Sequence, residues 1–182
     1  MKLLSYNYRG LASPKKKLAF QRILSTELVV VILLQETLGL ENAITYLLES
    51  MLPSWLFHAL DVNGRSRGVA MGFNTRTIKL CNIWGGTSHI GVDIYSSDLG
   101  TYIRLINVYG PCQNRGPYWE HLLSSNLLQV DNLILGGDLN FSIRYSESWG
   151  QHVEIDPLSK FLENVLEEHS LIDIPFAKLQ PT

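Results

Sequence analysis

Short apolar stretches alternate with amphipathic ones along this chain, and glycine, proline or small polar residues separate them. Lys2–Tyr8 is apolar and is closed by Arg9-Gly10, which predicts a strand entering a loop. Ser13-Pro14 offers an N-cap and a first-turn proline, and Leu18, Ile23 and Leu24 give Lys15–Glu27 a helical period. Val29–Leu34 is uniformly apolar and partly β-branched, the pattern of a strand buried on both faces. Glu41–Leu52 predicts a second helix, stopped by Pro53. The first third therefore reads β-α-β-α.

The middle of the chain changes character. Trp55–Val62, Gly68–Asn74, Ile78–Trp84, His89–Tyr95 and Tyr102–Tyr109 are strand candidates, separated by turn residues such as Asn63-Gly64 and Asp98-Leu99-Gly100. A helix is predicted over Tyr118–Gln129, then a strand over Asn132–Leu135 that runs into Gly136-Gly137-Asp138. Pro157–His169 carries Leu158, Phe161, Leu162, Val165 and Leu166 on one face and predicts a last helix. No repeat or low-complexity stretch interrupts this order. It is the pattern of an α/β sandwich with strands inside and helices outside.

Composition bounds the picture. The 182 residues are 46% hydrophobic and 18% charged, which suits one globular domain and excludes a disordered chain. Net charge is −2, unevenly placed: residues 1–80 hold ten Lys/Arg against five Asp/Glu, and residues 81–182 hold five against twelve. Such asymmetry can be ordinary surface charge, or a basic rim beside a phosphate site. Cys81 and Cys112 make no zinc spacing; one disulfide is conceivable, but a reducing compartment is the simpler reading. The longest apolar run ends at Gln35-Glu36, too short to span a bilayer, and no signal-peptide pattern follows Met1. An intracellular protein, nuclear ones included, is the expectation.

Polar residues stand at the ends of apolar strands: Asn7, Glu36, Tyr109, and the pair Asp138 and Asn140. In an open α/β sheet, strand ends on one side share a crevice that commonly binds ligand. Two carboxylates, two amides and a phenol form an oxygen-rich, thiol-free set that suits a hard cation such as Mg²⁺. Singly, each has a plainer explanation. Glu36 can open a solvated loop, Asn7 and Gly137-Asp138 can be turn residues, and Tyr109 can be a strand-end aromatic. Together, they would need unrelated explanations at separate strand ends.

These segments resemble motifs of endonuclease/exonuclease/phosphatase (DNase I-like) domains. Ser5–Gly10 (SYNYRG) is similar to their opening strand, Leu33–Thr37 (LLQET) to their metal-binding strand end, Asn107–Pro111 (NVYGP) to their tyrosine motif, and Gly136–Asn140 (GGDLN) to their catalytic aspartate motif. Arg67–Gly72, Tyr118-Trp119, Ser146–Gly150 and Leu171–Asp173 follow in the family's order. The wording is most similar to endonuclease domains of plant LINE-type non-LTR retrotransposons. The resemblance implies a four-layer α/β sandwich and Mg²⁺-dependent phosphodiester hydrolysis, with Mn²⁺ as a substitute and DNA as substrate. It implies that Glu36 binds the metal and that Asn7 arranges metal and aspartate. It further implies that Asp138 activates water, and that Tyr109 and Asn140 hold phosphate oxygens.

Some positions depart from the family. Tyr6 and Tyr8 replace frequent Trp and Cys, Leu139 replaces a frequent Phe, and Cys112 stands where a DNA-contacting Asn is common, with Asn114 nearby. The family's closing Ser-Asp-His segment has no counterpart. None of His58, His89, His121, His152 and His169 follows an aspartate, and His169 reads as a helix-end residue. The expectation is one domain over residues 1–182 lacking its C-terminal strands, so that the second sheet is incomplete. Impaired nicking and self-association through an exposed sheet edge would follow. Alternatives are a non-catalytic remnant with weak metal or phosphate binding, or another phosphatase of the superfamily.

Overall fold

The structure is a computed structural model, and it describes residues 1–10, 13–61, 68–124, 126–143 and 155–174. The expected Val62 strand end, the Asn63-Gly64 turn, Arg67, His152 and the Ser146–Gly150 motif lie outside the described residues. Among the described residues, eight strands and four helices follow in the predicted order: β1 (Leu3–Asn7), α1 (Pro14–Glu27), β2 (Val31–Gln35), α2 (Glu41–Met51), β3 (Trp55–Leu60), β4 (Val69–Asn74), β5 (Ile78–Gly85), β6 (His89–Ser96), β7 (Thr101–Tyr109), α3 (Arg115–Ser124), β8 (Leu133–Asp138) and α4 (Ser159–Glu168). The strands form two four-stranded sheets, β1-β2-β4-β3 and β5-β6-β7-β8. In each sheet one pair is parallel, β1 with β2 and β7 with β8, and the other pairs are antiparallel.

The chain divides into two compact units, the first comprising Met1–Pro111 and Val130–Leu139 and the second Cys112–Gln129 and Asn140–Thr182. Both sheets belong to the first. The apolar run of β2 is buried on both faces, as its composition requires, because successive side chains enter different cores. Ile32 and Leu34 pack with Phe20 and Leu24 of α1 and with Ile44 and Leu48 of α2. Val31 and Leu33 pack between the sheets with Met71 and Phe73 of β4, Ile90, Val92 and Ile94 of β6, and Leu105 of β7. Each fully buried aliphatic side chain contributes about 1.5–3 kcal/mol. Helices, first sheet and second sheet thus form three successive layers of this unit.

One polar contact interrupts the apolar layer between the sheets. Asn107 on β7 is fully buried, and its Oδ1 accepts from Gln35 Nε2 on β2 at 2.7 Å. Its Nδ2 lies 3.1 Å from the Leu34 carbonyl and 3.0 Å from the Ala70 carbonyl. Asn107 therefore reaches two strands of the opposite sheet. On the outer sheet, Arg104 forms a fork with Asp93 across β6 and β7, at 2.8 and 3.1 Å, and lies over the Trp84 ring.

The second unit holds α3, a 3₁₀ turn at Asn126–Leu128, and α4. Helix α3 begins at Arg115, earlier than the expected Tyr118, and ends at Ser124. Pro117 explains the early start: in a helix's first turn the missing N–H breaks no internal hydrogen bond. Buried Trp119 meets Phe141 edge-on at 5.0 Å. Arg115 clasps Asp156 at 2.6 and 2.9 Å and donates to the Asn140 carbonyl at 2.8 Å. Helix α4 is capped at His169, whose backbone N–H reaches the Val165 carbonyl, so this residue ends a helix as expected. Cys81 and Cys112 are free and exposed.

Two expectations follow. Asn107→Ala leaves Gln35 Nε2 and two carbonyls without their partner and should cost roughly 2–4 kcal/mol; an unchanged urea midpoint would remove the contact's structural weight. Burial raises the Asp156 pKa, but Arg115 and the backbone N–H groups of Leu158 and Ser142 outweigh it and hold the carboxyl below its usual 3.8. A depressed folded-state pKa stabilises above the unfolded value and loses that contribution as pH falls through the folded one. The stability gap between wild type and Asp156→Asn should therefore be full at neutral pH and shrink only below about pH 4, as read by thermal unfolding against pH.

Candidate active site

The two parallel strand pairs decide where the candidate side chains fall. Asn7 is registered with Gln35 at the C-terminal ends of β1 and β2, and Tyr109 with Asp138 at those of β7 and β8. Beyond its last pair the first sheet continues through two backbone bonds at 2.9 Å, Tyr8 N to the Gln35 carbonyl and Gly10 N to the Glu36 carbonyl. Glu36 takes a left-handed conformation, φ +53°, that turns the chain out of β2. A non-glycine residue pays about 1–3 kcal/mol for such a backbone, and that cost clusters at working sites.

Four side chains from four strands converge. The Asn7 amide Nδ2 donates to Asp138 Oδ2 at 2.7 Å and to Glu36 Oε1 at 3.2 Å. The Tyr109 hydroxyl donates to the same Glu36 oxygen at 3.3 Å. One amide thus ties a carboxylate of each sheet, and Glu36, at 7% exposure, opens no solvated loop. Asn7 Oδ1 is buried with no hydrogen-bond partner. Two carboxylates held on one amide repel each other unless something positive joins them. A lone buried amide oxygen beside them is a hard-cation ligand by its chemistry. The donor set therefore fits a divalent cation, although among the described residues no group of three or more His, Cys, Asp or Glu stands together.

The remaining predicted residue, Asn140, lies two positions beyond Asp138 and belongs to the second unit, with φ +54°. Cys112 and Asn114 are also in that unit and exposed. Gly136 and Gly137 invite the idea of close approach to phosphate, but Gly137 has a nearer reason. Its φ is +129°, and a Cβ there would lie 2.0 Å from the Val108 carbonyl oxygen of the neighbouring strand. Sequence reasoning overlooked Gln35 and Asn107. The available signal was an asparagine inside the otherwise apolar end of β7, two residues before Tyr109 and so on the same face.

No family model matches this chain, and neither does any curated protein. Solved structures do match, and in fold: the two sheets and four helices of the described residues make the mixed α/β arrangement of DNase I-like neighbours. The endonuclease domain of TRAS1, a telomere-specific non-LTR retrotransposon, is similar at TM-score 0.67 and 16% identity, over 92% of this chain and 71% of that one. An AP endonuclease from Archaeoglobus fulgidus gives 0.64 and 14%, over 91% and 70%. D. rerio TDP2, solved with a single-strand DNA product, gives 0.60 and 16%, over 77% and 60%. The chain thus spans less than two thirds of TDP2. Among the described residues no helix is long and apolar enough to cross a membrane.

Gly137→Ala should break the close β7–β8 approach and displace Asp138. We expect a loss of more than about 2 kcal/mol, in the range of steric overpacking, measured by denaturant unfolding. A neutral result would mean that β8 tolerates a side chain there.

Proposed function

We propose that this chain is a divalent-metal-dependent phosphodiester hydrolase, a DNA-nicking endonuclease domain of LINE-type retrotransposon origin. The observation that carries the reading is the Asn7 amide, which joins Glu36 and Asp138 while its own buried oxygen has no protein partner. The motif wording and the fold likeness to the TRAS1 domain support the retrotransposon assignment.

Glu36 and Asn7 Oδ1 would hold Mg²⁺, with Mn²⁺ as a substitute. Bound there, the ion supplies charge stabilisation at the phosphate undergoing attack. Asp138 orients the attacking water and takes its proton, and Asn7 fixes the carboxylate's position by donating to it. Tyr109 holds Glu36 in its rotamer through the hydroxyl contact. Because these groups sit on strand ends fixed by the core, little reorganisation accompanies the reaction, which is the source of most electrostatic catalysis.

Plasmid nicking by the 182-residue chain tests the reading. Nicking is expected with Mg²⁺ and not with EDTA, and Asp138→Ala should lower the rate at least about a hundredfold. Glu36→Gln should weaken Mg²⁺ binding by calorimetry. Nicking that survives Asp138→Ala would sink the site. Metal binding without nicking would favour a non-catalytic remnant.

A further inference from the structure

The candidate site is divided between the two sheets. Asn7 and Glu36 close strands of the first sheet, and Tyr109 and Asp138 close strands of the second. The contacts that join the halves are Asn7 Nδ2 to Asp138 Oδ2 at 2.7 Å and the Tyr109 hydroxyl to Glu36 Oε1 at 3.3 Å. Each half moves with its own sheet, so a slide of one sheet over the other lengthens both contacts together. Apolar packing between the sheets resists separation better than sliding, because burial is non-directional.

A second polar layer lies one step back along the same strands. Gln35 is registered with Asn7 and precedes Glu36. Asn107 precedes Tyr109 by two positions and so shares its face of β7. Gln35 Nε2 donates to Asn107 Oδ1 at 2.7 Å and lies 3.4 Å from Ser5 Oγ, on the strand that ends at Asn7. Asn107 Nδ2 donates to the Leu34 carbonyl of β2 and the Ala70 carbonyl of β4. The contact to exposed Ser5 is long and weak, so the weight rests on the amide pair. Gln35 and Asn107 are 1% and 0% exposed, and solvent cannot stand in for either partner. Neither side chain bonds to Asn7, Glu36, Tyr109 or Asp138. Any influence on the chemistry passes through the strands that carry them.

Stability alone does not call for this pair. A buried hydrogen-bonded pair contributes little more than well-packed apolar groups of the same shape. What apolar groups cannot supply is a fixed offset between the sheets. We infer that Gln35 and Asn107 are positioning residues for the active site: their bond sets the offset at which one Asn7 amide serves both carboxylates and Tyr109 reaches Glu36. The inference rests on the hydrolase reading above and adds which buried residues align its two halves.

The test replaces both partners by apolar groups of similar size. Gln35→Met/Asn107→Leu leaves neither amide orphaned, so its urea midpoint should stay close to wild type or rise. The alignment should nevertheless loosen. In the metal-free protein, solvent exchange of the Asn7 Nδ2 protons, read by NMR, should become at least about tenfold faster. Calorimetry should show Mg²⁺ affinity about tenfold weaker, in the range for residues that orient ligands without touching the metal. Val92→Ala, which thins the apolar layer between the sheets, should lower the urea midpoint and move neither readout. Exchange and affinity at wild-type values in a stable double variant would overturn the inference. Equal changes in Val92→Ala would overturn it too, since any loss of packing would then suffice. If the double variant does not fold, Gln35→Met decides by the same two readouts. If wild type binds no Mg²⁺, the hydrolase reading fails, and the Asn7 exchange still decides whether the amide pair aligns these side chains.

Discussion

The buried contact between Gln35 and Asn107 is the constraint on which the remainder of this structure depends. Two sheets packed through aliphatic side chains can slide, because dispersion and burial are non-directional. A fully buried amide cannot, since any shift leaves polar atoms unpaired in a low-dielectric layer. Asn107 satisfies itself on Gln35 and on the Leu34 and Ala70 carbonyls at once. That fixes β7 over β2 and β4, in translation as well as in distance. Gln35 and Asn107 stand one and two residues before Glu36 and Tyr109, so the amide pair sets the register of the strand ends that carry chemistry.

Charge placement depends on that register. Glu36 comes from one sheet and Asp138 from the other, and a single Asn7 amide spans both. Two carboxylates brought this close destabilise the fold by themselves, and the left-handed backbone at Glu36 adds to the cost. Stabilisation elsewhere tolerates such an arrangement when the site uses it. A cation between the carboxylates would convert the repulsion into attraction, and the Asn7 oxygen without a protein partner would be a further ligand for it.

Much of the fold was legible in the sequence, because the periods were clean. The uniform apolarity of Val29–Leu34 foretold burial on both faces, which the strand from Val31 shows, and the glycines and prolines bounded most elements. Helix α3 starts at Arg115 and not at Tyr118, because a proline in a first turn breaks no internal hydrogen bond. Strand β8 extends through Gly136 and Gly137 to Asp138, where a turn was an open reading. The glycines there serve a close approach to Val108 that no local signal announces. Likewise, the Arg115–Asp156 fork joins residues far apart in the chain, and no periodicity encodes such a pairing.

The sequence by itself determined which residue types stand at the strand ends: Asn7, Glu36, Tyr109 and Asp138 are visible as polar residues closing apolar runs. It also determined the order of elements and the positive bias of the first 80 residues. Only the tertiary structure decided that one Asn7 amide serves two carboxylates, that Tyr109 points its hydroxyl at Glu36, and that an asparagine inside β7 holds the sheets in register. Local composition reports what each segment can bury. Which buried polar atom meets which depends on the superposition of two sheets, and that is set by residues distant in sequence acting together.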